Sequence, residues 1–134
     1  MNNAKIQLKQ IIFPKSSLVA EPQMEMTQKN IELSANVSTQ SALVQDVDDA
    51  FVTIISVETT TNIGLNISVE CQAVFVVDSK IDINFLKLSF VTLNAPAIVY
   101  PFVRSFVSNL SVNAGFPAII LPAINFAAKD REKE

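Results

Sequence analysis

The chain has 134 residues and a mass of 14.7 kDa, the size of one ordinary domain. Hydrophobic residues make up 49% and charged residues 17%, so a packed core is expected, within one domain over residues 1–134. There is no His or Trp, one Cys and two Gly. Those absences remove the usual general base near neutral pH, the commonest metal ligand, an intrachain disulfide and any glycine-rich phosphate loop. A net charge of −3 lacks the basic footprint of a nucleic-acid binder. No enzyme is expected, and no cofactor or metal.

The N-terminal MNNAKIQLKQ is polar and lacks the apolar core of a secretory signal, which predicts a soluble, cytoplasmic protein. The first strand is predicted over Lys5–Phe13, with Ile6, Leu8 and Ile12 alternating against Lys5, Gln7 and Lys9. A second is predicted over Asn30–Thr39, with Ile31, Leu33, Ala35 and Val37 inward. Asp46, Asp48 and Asp49 read as a solvated turn. Ala50–Thr59 places Phe51, Thr53, Ile55 and Val57 on one face. Thr60–Gly64 supplies the Asn and Gly of a hairpin turn. The fourth strand, Leu65–Val77, alternates without a break: Leu65, Ile67, Val69, Cys71, Ala73, Phe75 and Val77 share one face. Residues 1–78 therefore form an antiparallel sheet covered on one side. Cys71 is expected to be inert packing.

After Asp78 the period turns helical, over a region set at 83–114. Ile98, Phe102, Phe106 and Leu110 recur at i+4, with Val99, Val103 and Val107 beside them. Pro96 suits a first turn, Pro101 is placed to bend the helix, and Gly115 suits its C-cap. Residues 115–126 read as a connecting loop and 127–134 as a short charged tail. The uncharged stretch from Ser105 to Ala128 is broken by Asn109, Asn113, Gly115, Pro117, Pro122 and Asn125, so no membrane insertion is expected. Between Ile83 and Ala128 only Lys87 and Arg104 are charged. One sheet face hides one side of a helix, so the surplus apolar surface calls for another copy or a client. An oligomer with Ile98, Val99, Val103, Val107 and Leu110 at its helix interface is expected. Arg104, alone in that helix, is expected to pair with a carboxylate or cap backbone carbonyls.

Tyr100-Pro101-Phe102-Val103-Arg104, then Gly115-Phe116-Pro117, then Leu121-Pro122-Ala123-Ile124-Asn125-Phe126, resembles the C-terminal signature of the SecB family of export chaperones. In that family an aromatic-Pro-aromatic-x-Arg helix leads to a Gly-Phe-Pro turn and a Leu-x-Pro-Val-Asn-Phe segment. Pro96 also has a family counterpart, and Val69-Glu70-Cys71-Gln72-Ala73-Val74-Phe75 looks like the family's Glu-containing strand. The resemblance is specific over 96–126 and looser over 47–78.

It implies an α+β fold: a four-stranded antiparallel sheet, one long kinked helix packed on one face, and a truncated C-terminal helix. It also implies a dimer or a dimer-of-dimers tetramer. The implied activity is an ATP-independent holdase that keeps unfolded polypeptides or preproteins in apolar grooves for delivery to the translocation ATPase SecA. Phe13, Phe75, Tyr100, Phe102, Phe106, Phe116 and Phe126 are then the groove candidates, although each also reads as core. Val69 and Glu70 match a SecA-facing position, whereas Lys15-Ser16-Ser17 stands where the family is acidic. The family's second helix and tail are longer than Ala127–Glu134, so the lid over the groove is expected to be stunted. The alternatives are a chaperone dedicated to one partner, such as an antitoxin, and a structural homologue without client binding.

Overall fold

The computed structural model describes residues 5–25 and 30–127. Four strands form one antiparallel sheet: β1 (Ile6–Ala20), β2 (Leu33–Leu43), β3 (Ala50–Thr61) and β4 (Leu65–Val77). A 3₁₀ turn (Ile83–Lys87), a π-helical turn (Phe90–Asn94) and the helix α1 (Ala95–Asn113) follow. The spatial order is β1-β4-β3-β2, so the strands first and second in the chain lie at opposite edges.

The connection between them is fastened to the tip of the β3–β4 hairpin. The Glu21 N–H donates to the Gly64 carbonyl (2.8 Å) and the Glu25 N–H to that of Ile63 (3.1 Å). Asn62 holds the other end: its amide donates to Asn30 O (2.9 Å) and its Oδ1 accepts from the Glu32 N–H (2.8 Å). Gly64 sits at φ 84°, where a Cβ would also press on the Met24 backbone at 3.3 Å, so this turn needs glycine.

Strands β3 and β4 obey the alternation expected of them. Every odd-numbered residue from Phe51 to Thr59 and from Leu65 to Val77 is buried beneath the helix. β1 departs from expectation. Its register slips between Leu8 and Gln10 and again between Ile12 and Lys15, and each bulge inserts one residue and reverses which side chains face inward. Ile11 and Phe13 therefore turn to the core, while Ile12, expected inside, is 41% exposed. The bulges also carry the strand past Phe13 to Ala20.

α1 lays Ala95, Val99, Val103, Val107 and Ser111 on the sheet, an i+4 stripe with essentially no exposure. Burying each such Val contributes roughly 1.5–3 kcal/mol. The helical run Phe90–Asn113 is long and apolar enough to cross a membrane by length and composition. Packing on the sheet accounts for that stripe.

The region expected as helix from Ile83 onward is irregular until residue 95. Pro96 has no N–H to give to the preceding turn, and the Ala95 N–H reaches back five residues to Phe90 O. Pro101 lies inside α1. The helix ends in a Schellman motif: the Gly115 N–H donates to Val112 O (3.0 Å), the Phe116 N–H to Ser111 O (2.9 Å), and Gly115 sits at φ 95°.

Residues 116–126 then run back over the helix as a strap. The Ile119 N–H donates to Ser111 Oγ (3.0 Å), Arg104 Nε to Leu121 O (3.1 Å) and Tyr100 Oη to Pro122 O (2.6 Å). Arg104 is thus a cap for a backbone carbonyl. Ile119, Leu121 and Phe126 are buried under the strap. The truncated C-terminal helix expected after Phe126 lies almost wholly outside the described residues.

Candidate functional site

The seven aromatic side chains expected to line one groove occupy separate places. Phe75 is buried, stacked on Phe51 with ring centroids 5.1 Å apart and met edge-on by Phe90 at 6.2 Å. Tyr100 and Phe126 are buried as a T-shaped pair (5.5 Å) under the strap. Burial raises the Tyr100 phenol pKa, and the nearby Arg104 charge opposes that rise. These three are core: the periods of β4 and α1 turn Phe75 and Tyr100 inward, and the end of the strap lays Phe126 on Tyr100. Phe13 stacks face to face on Phe106 at 3.9 Å, half-buried beside β1, and Phe116 is half-buried at the helix C-terminus. Phe102 alone is well exposed, at 51%, on the outer side of α1.

The helix residues expected between copies also divide. Val99, Val103 and Val107 are sealed inside the protomer by its own sheet, and Leu110 is half-buried. Ile98 is exposed, on the outer side with Phe102 and Val112.

Val69, expected to face SecA, points into the core, since odd positions of β4 do so. Glu70 is on the opposite, helix-free face. There it accepts from Gln72 Nε2 (3.0 Å) and borders a shallow trough of about 330 Å³ with Lys15, Ser17, Ser56, Glu58 and Ser68. The trough follows from register: Ser17, Ser68 and Glu58 lie opposite one another across three strands, as do Lys15, Glu70 and Ser56. Short serines make its floor, and the two carboxylates and Lys15 its walls. Cys71 is buried opposite the second β1 bulge, and burial pushes its thiol up to about 11, which favours the neutral form near neutral pH.

An opening of mixed polar and apolar lining lies between the end of β2 and the irregular segment before α1, where no site was expected. Thr39, Gln40, Ser41, Leu86, Val91, Thr92 and Pro96 surround a cavity of about 150 Å³. A second depression of about 400 Å³ lies on the other side of that segment, against Ile81, Phe85 and Leu88. Leu86 faces the first and Phe85 the second, and Phe85 rests on Phe51 at 5.9 Å. The uncharged run of β2 and the Pro at 96 were the available signals. Nothing in the sequence joins positions 45 residues apart.

Beside the cavity runs the C-terminal half of β2, Ser38–Leu43, at the edge of the sheet. Leu33–Leu43 carries no charge, no Pro and no bulge. An edge of that kind is competent to pair with an extended chain, and the cavity beside it has an apolar wall at Leu86, Val91 and Pro96.

This architecture has relatives. A SecB-like chaperone of Mycobacterium tuberculosis, solved in complex with a peptide from an antitoxin, superposes with a TM-score of 0.73 over 89% of this chain and 90% of its own, at 15% identity. An uncharacterised protein of Methanocaldococcus jannaschii is 30% identical over 105 residues, 74% of this chain and 66% of that protein. The protein-export protein SecB of Anaplasma phagocytophilum is 26% identical over 117 residues, 78% of this chain and 73% of its own length. The match to the family described as preprotein translocase subunit SecB runs over residues 3–132, and the chain belongs to that SecB family.

Proposed function

We propose that the protein is an ATP-independent holdase that takes extended segments of non-native polypeptide along the Ser38–Leu43 edge of β2. Apolar side chains of the client would enter the opening between Thr39, Ser41, Leu86, Val91 and Pro96. The observation that carries this reading is that uncharged, unbulged edge lying directly against a cavity of mixed lining, polar along β2 and apolar at Leu86, Val91 and Pro96. Backbone pairing serves many sequences alike, and Leu86, Val91 and Pro96 give the cavity one apolar wall for small hydrophobic side chains. No nucleotide or cofactor enters the mechanism.

Membership in a family with relatives named protein-export protein SecB supports a role in the cytoplasm on the way to export. Coupling to SecA would fall to the helix-free face of the sheet, where Glu58 and Glu70 border the trough. Self-association into a dimer or tetramer would cover Ile98, Phe102 and Val112 on α1. A second reading, a chaperone dedicated to one partner, is favoured by the Mycobacterium tuberculosis structure, which holds an antitoxin peptide.

The test is suppression of aggregation of two unrelated unfolded proteins at stoichiometric chaperone, without nucleotide. Holding of both supports the general holdase. Holding of neither by a well-folded protein removes it and leaves the single-partner reading.

A further inference from the structure

The segment that separates the two openings is held in an unusual way. It is helical only in short pieces: a 3₁₀ turn over Ile83–Lys87 and a π-helical turn over Phe90–Asn94, joined through Leu88 and Ser89. Neither geometry is stable over length, and both mark places where a helix yields. No residue of the 3₁₀ turn is buried; Ile83 is 60% and the following Leu88 52% exposed. Its N-terminus is capped from within, by Asp82 Oδ1 on the amides of Asn84 (3.0 Å) and Phe85 (3.2 Å). A unit capped from within can move without giving up those bonds.

Both ends, by contrast, are fixed. Ahead of the segment the Ile81 N–H donates to Asp48 O at 2.7 Å, just before β3. Behind it Val91 and Ala95 are completely buried. Between the anchors only half-buried side chains reach the sheet: Phe85 against Phe51, Leu86 toward β2, and Phe90 against Phe75. Cavities on both flanks leave room for movement.

From this geometry we infer that residues 82–90 are a hinged flap that swings away from the β2 edge, joining the two openings into one groove as a client segment enters. The inference rests on the groove reading above and deepens it. In the closed position Leu86 occupies part of the space a client side chain would take. The flap therefore acts as a competitor that a sufficiently apolar client displaces, and polar segments do not.

Two measurements test it. Ser41 and Leu86 line the same cavity, so the double variant S41C/L86C carries a thiol on each wall, and its oxidised form, once mass spectrometry shows the bridge, tethers the flap to β2. Cys71, buried with its thiol near 11, stays out of the exchange. The oxidised form should hold an unfolded client at least tenfold more weakly than the reduced form, with recovery on adding reductant. Equal holding by the two forms would overturn the flap. Amide hydrogen exchange of the unaltered protein without client is the second measurement. Residues 83–90 should exchange as one unit, at least a hundredfold faster than Val99–Val107. Protection equal to that of Val99–Val107 would overturn the flap by itself. If no form holds any client, the holdase reading falls, while the exchange rates still decide whether the flap moves.

Discussion

The two edges of the sheet are built on opposite rules. β1 bears Lys9 at its first bulge and Pro14 at its second, followed by Lys15, so its ladder is broken twice in fifteen residues. Bulges, Pro and Lys are the devices by which sheet proteins keep an edge from recruiting strands. β2 keeps an unbroken register along all eleven residues and has none of those devices. β2 thus keeps the features that admit a pairing strand, and its stretch Thr39–Ser41 lines the cavity beside Leu86, Val91 and Pro96. The contrast is the reason the client contact is proposed on β2 and not on β1.

The contrast can be broken from either side. Thr39→Lys places an ammonium at the mouth of the cavity between Leu86, Val91 and Pro96. Client holding should fall tenfold or more, about 1.4 kcal/mol, because the charge must be desolvated as the client enters. Lys9→Thr, on the other edge, should leave holding unchanged. Titration of an unfolded client against each variant, with urea midpoints to confirm folding, measures both. The reverse experiment unguards β1. Pro14→Val with Lys9→Thr restores an N–H and removes a charge, so static light scattering should show a two- to several-fold rise in self-association.

A smaller effect is carried by Cys71, which faces the Phe13–Pro14 bulge from β4. Burial lifts its thiol from 9.0 to about 11, so the folded state favours the neutral form. The unfolded chain ionises near 9, so this contribution to stability is whole below pH 9 and is lost as pH rises toward 11. Thermal unfolding followed between pH 9 and 11 should fall more steeply in the parent protein than in Cys71→Ala. Iodoacetamide labelling at pH 8 should require opening of β1, and Phe13→Ala, which removes the stacking on Phe106, should accelerate it.

The same contrast explains what the sequence made legible. Leu65–Val77 reads off alternation to the residue, because β4 is paired on both sides without interruption on the β3 side and its whole inner face is core. β1 could not be read so, since each bulge resets the period and neither leaves a mark stronger than a Lys or a Pro. The helix beyond Ala95 and its strap were legible in the aromatic-Pro-aromatic-x-Arg and Gly-Phe-Pro motifs, and Arg104 does cap a carbonyl. The apolar spacing before Ala95 fits a plain helix, whereas Pro96 has no N–H to bond the preceding turn, which is π-helical, and a separate 3₁₀ turn stands at Ile83–Lys87. The candidate opening was least legible. The seven aromatic candidates, Phe13 and Phe75 on strands, Tyr100, Phe102 and Phe106 on α1, and Phe116 and Phe126 after it, lie in separate places, whereas the walls of the opening come from β2 and the segment before α1.

The most direct test of the account is amide hydrogen exchange of the protein with and without a bound unfolded client. The account predicts that protection is gained at Ser38–Leu43 of β2, with β1 unchanged. Protection gained along β1, or across the helix-free face around Glu58 and Glu70, with β2 unchanged, would contradict it.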